Sequence, residues 1–192
     1  MKSTIILCSG GARSGKSEFA EQLALSLKGR KAYVATGQAF DDEMKDRIKK
    51  HQLRRGKEWI NFEIPLNLHQ NWENIKNVSD VILIDCLTMF TSNHVFAHGD
   101  IHTQEDANHI ESIILEELRL LLQEINNSND KTVIFVTNEI GLGIVPENKL
   151  ARYFRDITGR VNREVANAAN KMYLTVSGVT IELKSQEVHI NG

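Results

Sequence analysis

The chain has 192 residues, 41% of them hydrophobic and 25% charged, with a formal net charge of -2. That length fits one domain, residues 1–192, long enough to bury a proper core. The near-neutral balance excludes a general pull toward nucleic acid, and no apolar run is long enough for stable insertion in a membrane.

In chain order, TIILC (residues 4–8) is the first strand. It runs straight into a glycine-rich turn, with no small-residue cleavage site, so it reads as a strand and not as a signal peptide. A helix follows over residues 17–27. KAYVA (31–35) is the second strand, VILID (81–85) the third and TVIFVT (132–137) the fourth. MYLTVS (172–177) and residues 180–183 form a terminal strand or hairpin around Gly178. The middle runs are continuously apolar, as strands covered on both faces are. Helical spacing of Ile110, Ile113, Ile114, Leu118, Leu121, Leu122 and Ile125 predicts a helix over 107–125. Another opens at Pro146, placed in its first turn, and runs to about Asn170. Residues 67–79 and 92–105 carry the weakest patterning and read as surface excursions. Alternating strands and helices predict an α/β fold with a mainly parallel sheet. Cys8 and Cys86 sit in apolar runs without metal-ligand spacing. They fit buried free thiols in a reducing cytoplasm.

Between the first strand and first helix lies GGARSGKS: Gly10, Gly11, Ala12, Arg13, Ser14, Gly15, Lys16 and Ser17. This is G-x-x-x-x-G-K-S in a strand–loop–helix setting, the pattern of a P-loop. The glycines let backbone N–H groups turn inward as an anion nest, and the helix adds its positive end. Lys16 reaches terminal phosphates, and the Ser17 hydroxyl suits Mg²⁺. A P-loop also needs a carboxylate at the end of a neighbouring strand. Asp85, after four apolar residues, is that candidate, or else a cap on the next turn. Glu139, after the fourth strand, falls at the same sheet edge, where strand ends collect at a ligand crevice. It serves there or as a turn residue before Gly141. The N-K-x-D motif of a guanine switch is missing from residues 137–140, so a small-metabolite phosphotransferase fits best.

DDEMKDRIKKHQLRR (41–55) raises a second chemistry. As a helix it places Arg47, His51, Arg54 and Arg55 on one face. Three guanidiniums beside an imidazole repel one another unless phosphate is bound. Nearby cations also favour the neutral, nucleophilic imidazole, which can attack phosphorus. A solvated charged face remains the plainer reading of the stretch. His94, His98 and His102 recur at spacing four, with no acidic or cysteine ligand beside them in sequence. Arg152, Arg155, Arg160 and Arg163 line either a subunit face or a solvated one.

Taken together, GGARSGKS, YVATG (33–37), the histidine segment, Trp59, Glu63, VILIDCLT and the run from Thr137 to Gly178 resemble the bifunctional adenosylcobinamide kinase / adenosylcobinamide-phosphate guanylyltransferase family of cobalamin biosynthesis. The resemblance covers nearly the whole chain in order. It implies a RecA-like P-loop fold and two reactions. A nucleoside triphosphate, ATP or GTP, phosphorylates adenosylcobinamide. GTP then donates GMP to adenosylcobinamide phosphate through a GMP–histidine intermediate. The family's R-I-x-x-H pattern falls on Arg47 to His51. Some members carry a second histidine just before it, where this chain has Lys50. The resemblance assigns nucleotide contacts to the P-loop residues, Ala35, Thr36, Gly37, Gln52, Leu53, Arg54, Arg55, Glu63 and Asp85. It implies a cytoplasmic homotrimer with active sites between subunits. Two rivals are a single-activity corrinoid kinase or transferase and a non-catalytic GTP-binding regulator.

Overall fold

The computed structural model describes residues 2–37, 56, 58–99 and 101–188. Seven strands form one sheet: β1 (Thr4–Gly10), β2 (Lys31–Ala35), β3 (Trp59–Glu63), β4 (Val81–Asp85), β5 (Thr132–Asn138), β6 (Lys171–Val176) and β7 (Val179–Glu182). Their spatial order is β3-β2-β4-β5-β1-β6-β7. Every pair is parallel except the β6–β7 hairpin, which turns at Ser177 and Gly178. The helices are α1 (Lys16–Ser26), α2 (Leu68–Val78), α3 (Leu87–Ala97), α4 (Gln104–Asn127) and α5 (Lys149–Ala168).

Alternating side chains divide the core between the two sheet faces. Ile5, Leu7, Val34, Ile82, Ile84, Val133 and Phe135 pack with α2 to α5, including Trp72, Phe90, Ile114, Leu118 and Val161. Ile6, Cys8, Tyr33, Leu83, Ile134 and Val136 point the other way, onto Ala20 and Ala24 of α1. Burial on both faces explains why β1, β4 and β5 read as unbroken apolar runs.

The weakly patterned segments are not surface excursions. Residues 67–79 hold α2, which buries Leu68, Trp72 and Ile75 at i, i+4 and i+7. Residues 92–105 hold the second half of α3 and the start of α4. Helix α3 buries Leu87, Thr88, Phe90, Thr91, Asn93, His94 and Val95. Its buried surface is part apolar and part polar, so it carries no stripe to read. Thr103 caps α4 in a reciprocal box with Asp106. Helix α5 begins at Lys149, with Asn148 as its cap, so Pro146 precedes the helix rather than lying in its first turn. The side chain of Asn148 takes the Ala151 N–H at 3.0 Å, the bond an N-cap side chain makes to the third helical residue. Strand β3, which the periodicity did not indicate, pairs with the outer side of β2.

Candidate functional site

Parallel pairing brings the carboxyl ends of the inner strands to one edge. Gly10 lies opposite Asn138 on one side and Thr175 on the other, and Ala35 lies opposite both Asp85 and Glu63. The P-loop, Ala35, Thr36, Gly37, Glu63, Asp85 and Glu139 therefore share this edge. Strand β5 stands between the P-loop strand and the Asp85 strand.

The P-loop curls through two left-handed residues, Arg13 at φ 57° and Gly15 at φ 98°. Gly15 is the residue before α1, and that conformation suits glycine. Gly10 is needed for a different reason. A Cβ there would lie 2.4 Å from the Thr175 carbonyl oxygen, so β6 could not come this close. The hairpin turn also supports the loop, since the Gly178 N–H donates to the Ser14 carbonyl at 2.8 Å. Gly11, Ala12 and Arg13 are exposed, whereas Ser14 and Lys16 are buried and Ser17 is half-buried. Lys16 Nζ donates to the Gly11 carbonyl at 3.2 Å, which folds its ammonium back over the loop. Lys16 and Ser17 open α1, so the helix end and the ammonium favour the same anion.

Asp85 ends β4. Its Oδ2 accepts the Tyr33 hydroxyl at 2.9 Å, which orients the carboxylate from the neighbouring strand. The turn beyond it is held by Thr36. Thr36 Oγ1 donates to the Cys86 carbonyl and accepts the Cys86 N–H, both at 2.7 Å. Asn93 of α3 in turn donates to the carbonyls of Thr36 (2.7 Å) and Pro65 (2.9 Å). Thr36 thus acts on the peptide after Asp85, a role its family assignment did not specify. Asp85 also marks the local field. Burial first, and then the Asp85 charge, pushes the Cys8 thiol up to about 12 and the Cys86 thiol up to about 11. Both are buried free thiols, as expected from sequence.

Asp85 and Ser17 offer a carboxylate and a hydroxyl, hard oxygen donors of the kind Mg²⁺ takes. Among the described residues no group of three or more His, Cys, Asp or Glu side chains forms a metal site. His94 does have an acidic neighbour, one that sequence distance concealed: its Nε2 lies 3.1 Å from Glu117 Oε2 on α4. The other oxygen of Glu117 accepts the Leu68 N–H at 2.6 Å, so the carboxylate joins α3 to the start of α2. Arg160 pairs with Glu111 at 2.7 Å, and Arg152 donates to the Pro146 and Glu147 carbonyls. His51, Gln52, Leu53, Arg54 and Arg55 lie outside the described residues.

A fold of this kind is shared with a solved ATPase of a type III secretion system of pathogenic bacteria. The two superpose with a TM-score of 0.60 at 10% identity, over 98% of this chain and 59% of that one. At that identity the likeness concerns the fold alone, and it agrees with a RecA-like P-loop sheet. The family model for cobinamide kinase / cobinamide phosphate guanyltransferase matches residues 6–183. The chain belongs to this family. It is 40% identical over 182 residues to the bifunctional adenosylcobalamin biosynthesis protein CobU of Escherichia coli K12, covering 94% of this chain and 99% of that protein. The CobU protein of Salmonella typhimurium LT2 is 41% identical over the same length and coverage. The CobP protein of Pseudomonas aeruginosa, also named a bifunctional adenosylcobalamin biosynthesis protein, is 33% identical over 177 residues, 92% of this chain and 95% of its own. Membership in the cobinamide kinase / guanyltransferase family thus rests on nearly the full length of both partners. No helix among the described residues is long and apolar enough to cross a membrane.

Proposed function

We propose that this one chain, as a single domain, carries out both reactions of its family in the cytoplasm. ATP or GTP phosphorylates adenosylcobinamide, and GTP then supplies GMP to the resulting phosphate. The observation that carries the reading is the P-loop edge, where Lys16 and Ser17 open α1 after β1 and Asp85 ends β4, one strand beyond β5 in the same sheet, in a chain that matches the family over residues 6–183.

In the kinase step the substrate hydroxyl oxygen attacks the γ-phosphorus, the bond to the β-phosphate oxygen breaks and the nucleoside diphosphate leaves. The hydroxyl proton passes to solvent or a nearby base. The loop N–H groups, the α1 terminus and Lys16 stabilise the charge that develops on the transferred group. Ser17 and Asp85 would hold Mg²⁺, which supplies further neutralisation of phosphate charge when bound. Ala35, Thr36, Gly37 and Glu63, on the neighbouring strand ends, extend the nucleotide site along the same edge.

In the transferase step a neutral His51 nitrogen attacks the α-phosphorus of GTP and pyrophosphate leaves. A phosphate oxygen of adenosylcobinamide phosphate then displaces the imidazole, giving adenosylcobinamide-GDP and free His51. Arg54 and Arg55, with Gln52 and Leu53, accompany that nucleotide. The reading includes a homotrimer. Exposed Leu142, Ile144 and Val145 before α5, and Val176, Val179 and Ile181 on the hairpin, supply apolar surface for such contacts.

The test is a chase with the purified chain, adenosylcobinamide, ATP, GTP and Mg²⁺. Adenosylcobinamide phosphate should appear first and adenosylcobinamide-GDP second. Product that stops at the phosphate would leave a kinase alone. Tight GTP binding without turnover would leave a regulator.

A further inference from the structure

Beneath the phosphate edge, four residues close a ring of hydrogen bonds. The Asn138 N–H donates to Thr88 Oγ1 at 2.9 Å. Thr88 Oγ1 and Thr137 Oγ1 lie 3.3 Å apart, and Thr137 Oγ1 donates to Asn162 Oδ1 at 2.6 Å. Asn162 Nδ2 donates to the Asn138 carbonyl at 3.1 Å. Since the Thr137 proton goes to Asn162, Thr88 must be the donor within the threonine pair. Donation therefore runs one way round, from Asn138 through Thr88 and Thr137 to Asn162 and back to Asn138. Turning the Asn162 amide over would set its oxygen against the Asn138 carbonyl oxygen, two acceptors face to face. Thr88, Thr137 and Asn162 are at most 8% exposed.

The ring's position gives it a consequence beyond stability. Thr88 lies in the first turn of α3, three residues beyond Asp85. Asn138 ends β5, the strand that separates Asp85 from the P-loop. Both backbone polar groups of Asn138 are clamped, and the next N–H, that of Glu139, donates to the Gly10 carbonyl at 3.0 Å. A continuous path of hydrogen bonds thus joins the turn after Asp85 to the entrance of the P-loop, with Asn162 of α5 closing it. Fully satisfied buried networks of this kind select one geometry.

We propose that Thr88 and Asn162 are positioning residues for phosphoryl transfer from the nucleoside triphosphate: they set the spacing between the P-loop and the Asp85 strand end. The inference rests on the reading of residues 10–17 and Asp85 as the phosphate site. Neither residue need touch the nucleotide. Each acts through the Asn138 peptide and the α3 turn, so its loss should slow the chemical step more than it weakens nucleotide binding.

The experiment measures the kinase step in full-length wild type, Thr88→Val, Thr88→Ser, Asn162→Ala and Asn162→Asp, with thermal midpoints for each. Thr88→Val keeps the shape and removes both ring contacts. Its kcat should fall by about tenfold to a hundredfold, the scale of small misplacements at a reacting centre, while KM for the triphosphate changes little. Thr88→Ser, which keeps the hydroxyl, should restore most of kcat. Asn162→Asp, which loses the donor to Asn138, should behave like Asn162→Ala. Lowered midpoints with unchanged kcat in Thr88→Val and both Asn162 variants would overturn the proposal and leave the ring as packing only. Equal loss in Thr88→Ser and Thr88→Val would overturn it too. Absence of phosphorylation by wild type would remove it together with the reading it rests on, whereas an active wild type with indifferent variants removes the inference alone.

Discussion

The two edges of the sheet handle their polar groups in opposite ways. At the amino-terminal edge, Asp80 cross-links the starts of β2, β4 and β5. It accepts the Arg30 N–H at 2.9 Å and Arg30 Nε at 3.3 Å, and lies 3.5 Å from Lys131 Nζ. The Asp80–Arg30 pair is open to water, with the Asp80 side chain 37% and Arg30 59% exposed, while Lys131 beside it is 16% exposed. At the carboxyl edge, Thr36, Thr88, Thr137 and Asn162 are buried: Thr36 bonds the Cys86 backbone, and the other three close a ring through Asn138. Exposed pairs are screened and contribute little to stability. A buried group that loses its partner costs about 1–3 kcal/mol, so the geometry of the carboxyl edge is held far more strictly. Strictness is what the proposed phosphate site requires, and the open edge has no such demand on it.

The sharpest way to break this contrast is to remove one lysine from each edge. Lys16→Ala should lower the kinase kcat by about 10²–10³-fold, the scale seen when a preorganised charge is removed. Lys131→Ala should leave kcat unchanged and lower only the thermal midpoint. Retained turnover in Lys16→Ala would end the P-loop assignment. The acids give the next comparison. Asp85→Asn should slow the kinase step and shift its Mg²⁺ titration to higher concentration, whereas Asp80→Asn should titrate like wild type. An unchanged titration in Asp85→Asn would take that carboxylate out of the site.

The smallest effect concerns pH. The Arg30 backbone N–H above all, then its guanidinium, holds the Asp80 carboxyl down at about 2, against an ordinary value of 3.8. A depressed carboxylate stabilises the fold above its unfolded value and loses that contribution as pH falls through the folded one. The Asp80→Asn protein should therefore melt slightly lower than wild type at neutral pH. The difference should stay below about 1 kcal/mol for so exposed a group, and close between pH 3.8 and 2. A gap that persisted into stronger acid would mean the side chain acts through packing and not charge.

The carboxyl edge was also the more legible half of the molecule. GGARSGKS between a strand and a helix, and an aspartate after four apolar residues, carry local patterns that survive any tertiary context. Helix α3 does not. LTMFTSNHVFA has no polar face to set against an apolar one, because Thr88, Asn93 and His94 are buried against partners far away in sequence and Thr91 is buried on its own helix's Leu87 carbonyl. Thr88 meets Asn138 across 50 residues, and Asn93 meets Thr36 across 57. No window on the sequence holds both ends of such contacts. Helix α2 was more accessible than its reading as an excursion allowed, since Leu68, Trp72 and Ile75 already had helical spacing. One signal for the ring was present as well. Thr158 and Asn162 lie at i and i+4 within the buried stripe of α5, beside Ile157, Val161 and Val165. Polar side chains on an apolar stripe call for partners. Asn162 finds its own at the end of β5.

The measurement closest to the central claim, that one chain both phosphorylates its substrate and carries GMP on a histidine, uses GTP labelled at the α-phosphate. Incubated with the full chain and Mg²⁺, it should leave an acid-labile, base-stable label on a peptide containing His51, and adenosylcobinamide phosphate should then discharge that label into adenosylcobinamide-GDP. His51→Ala should carry no label and keep most of its kinase activity. Wild-type protein that makes adenosylcobinamide-GDP without ever becoming labelled, or a His51→Ala protein labelled as fully as wild type, would contradict the account.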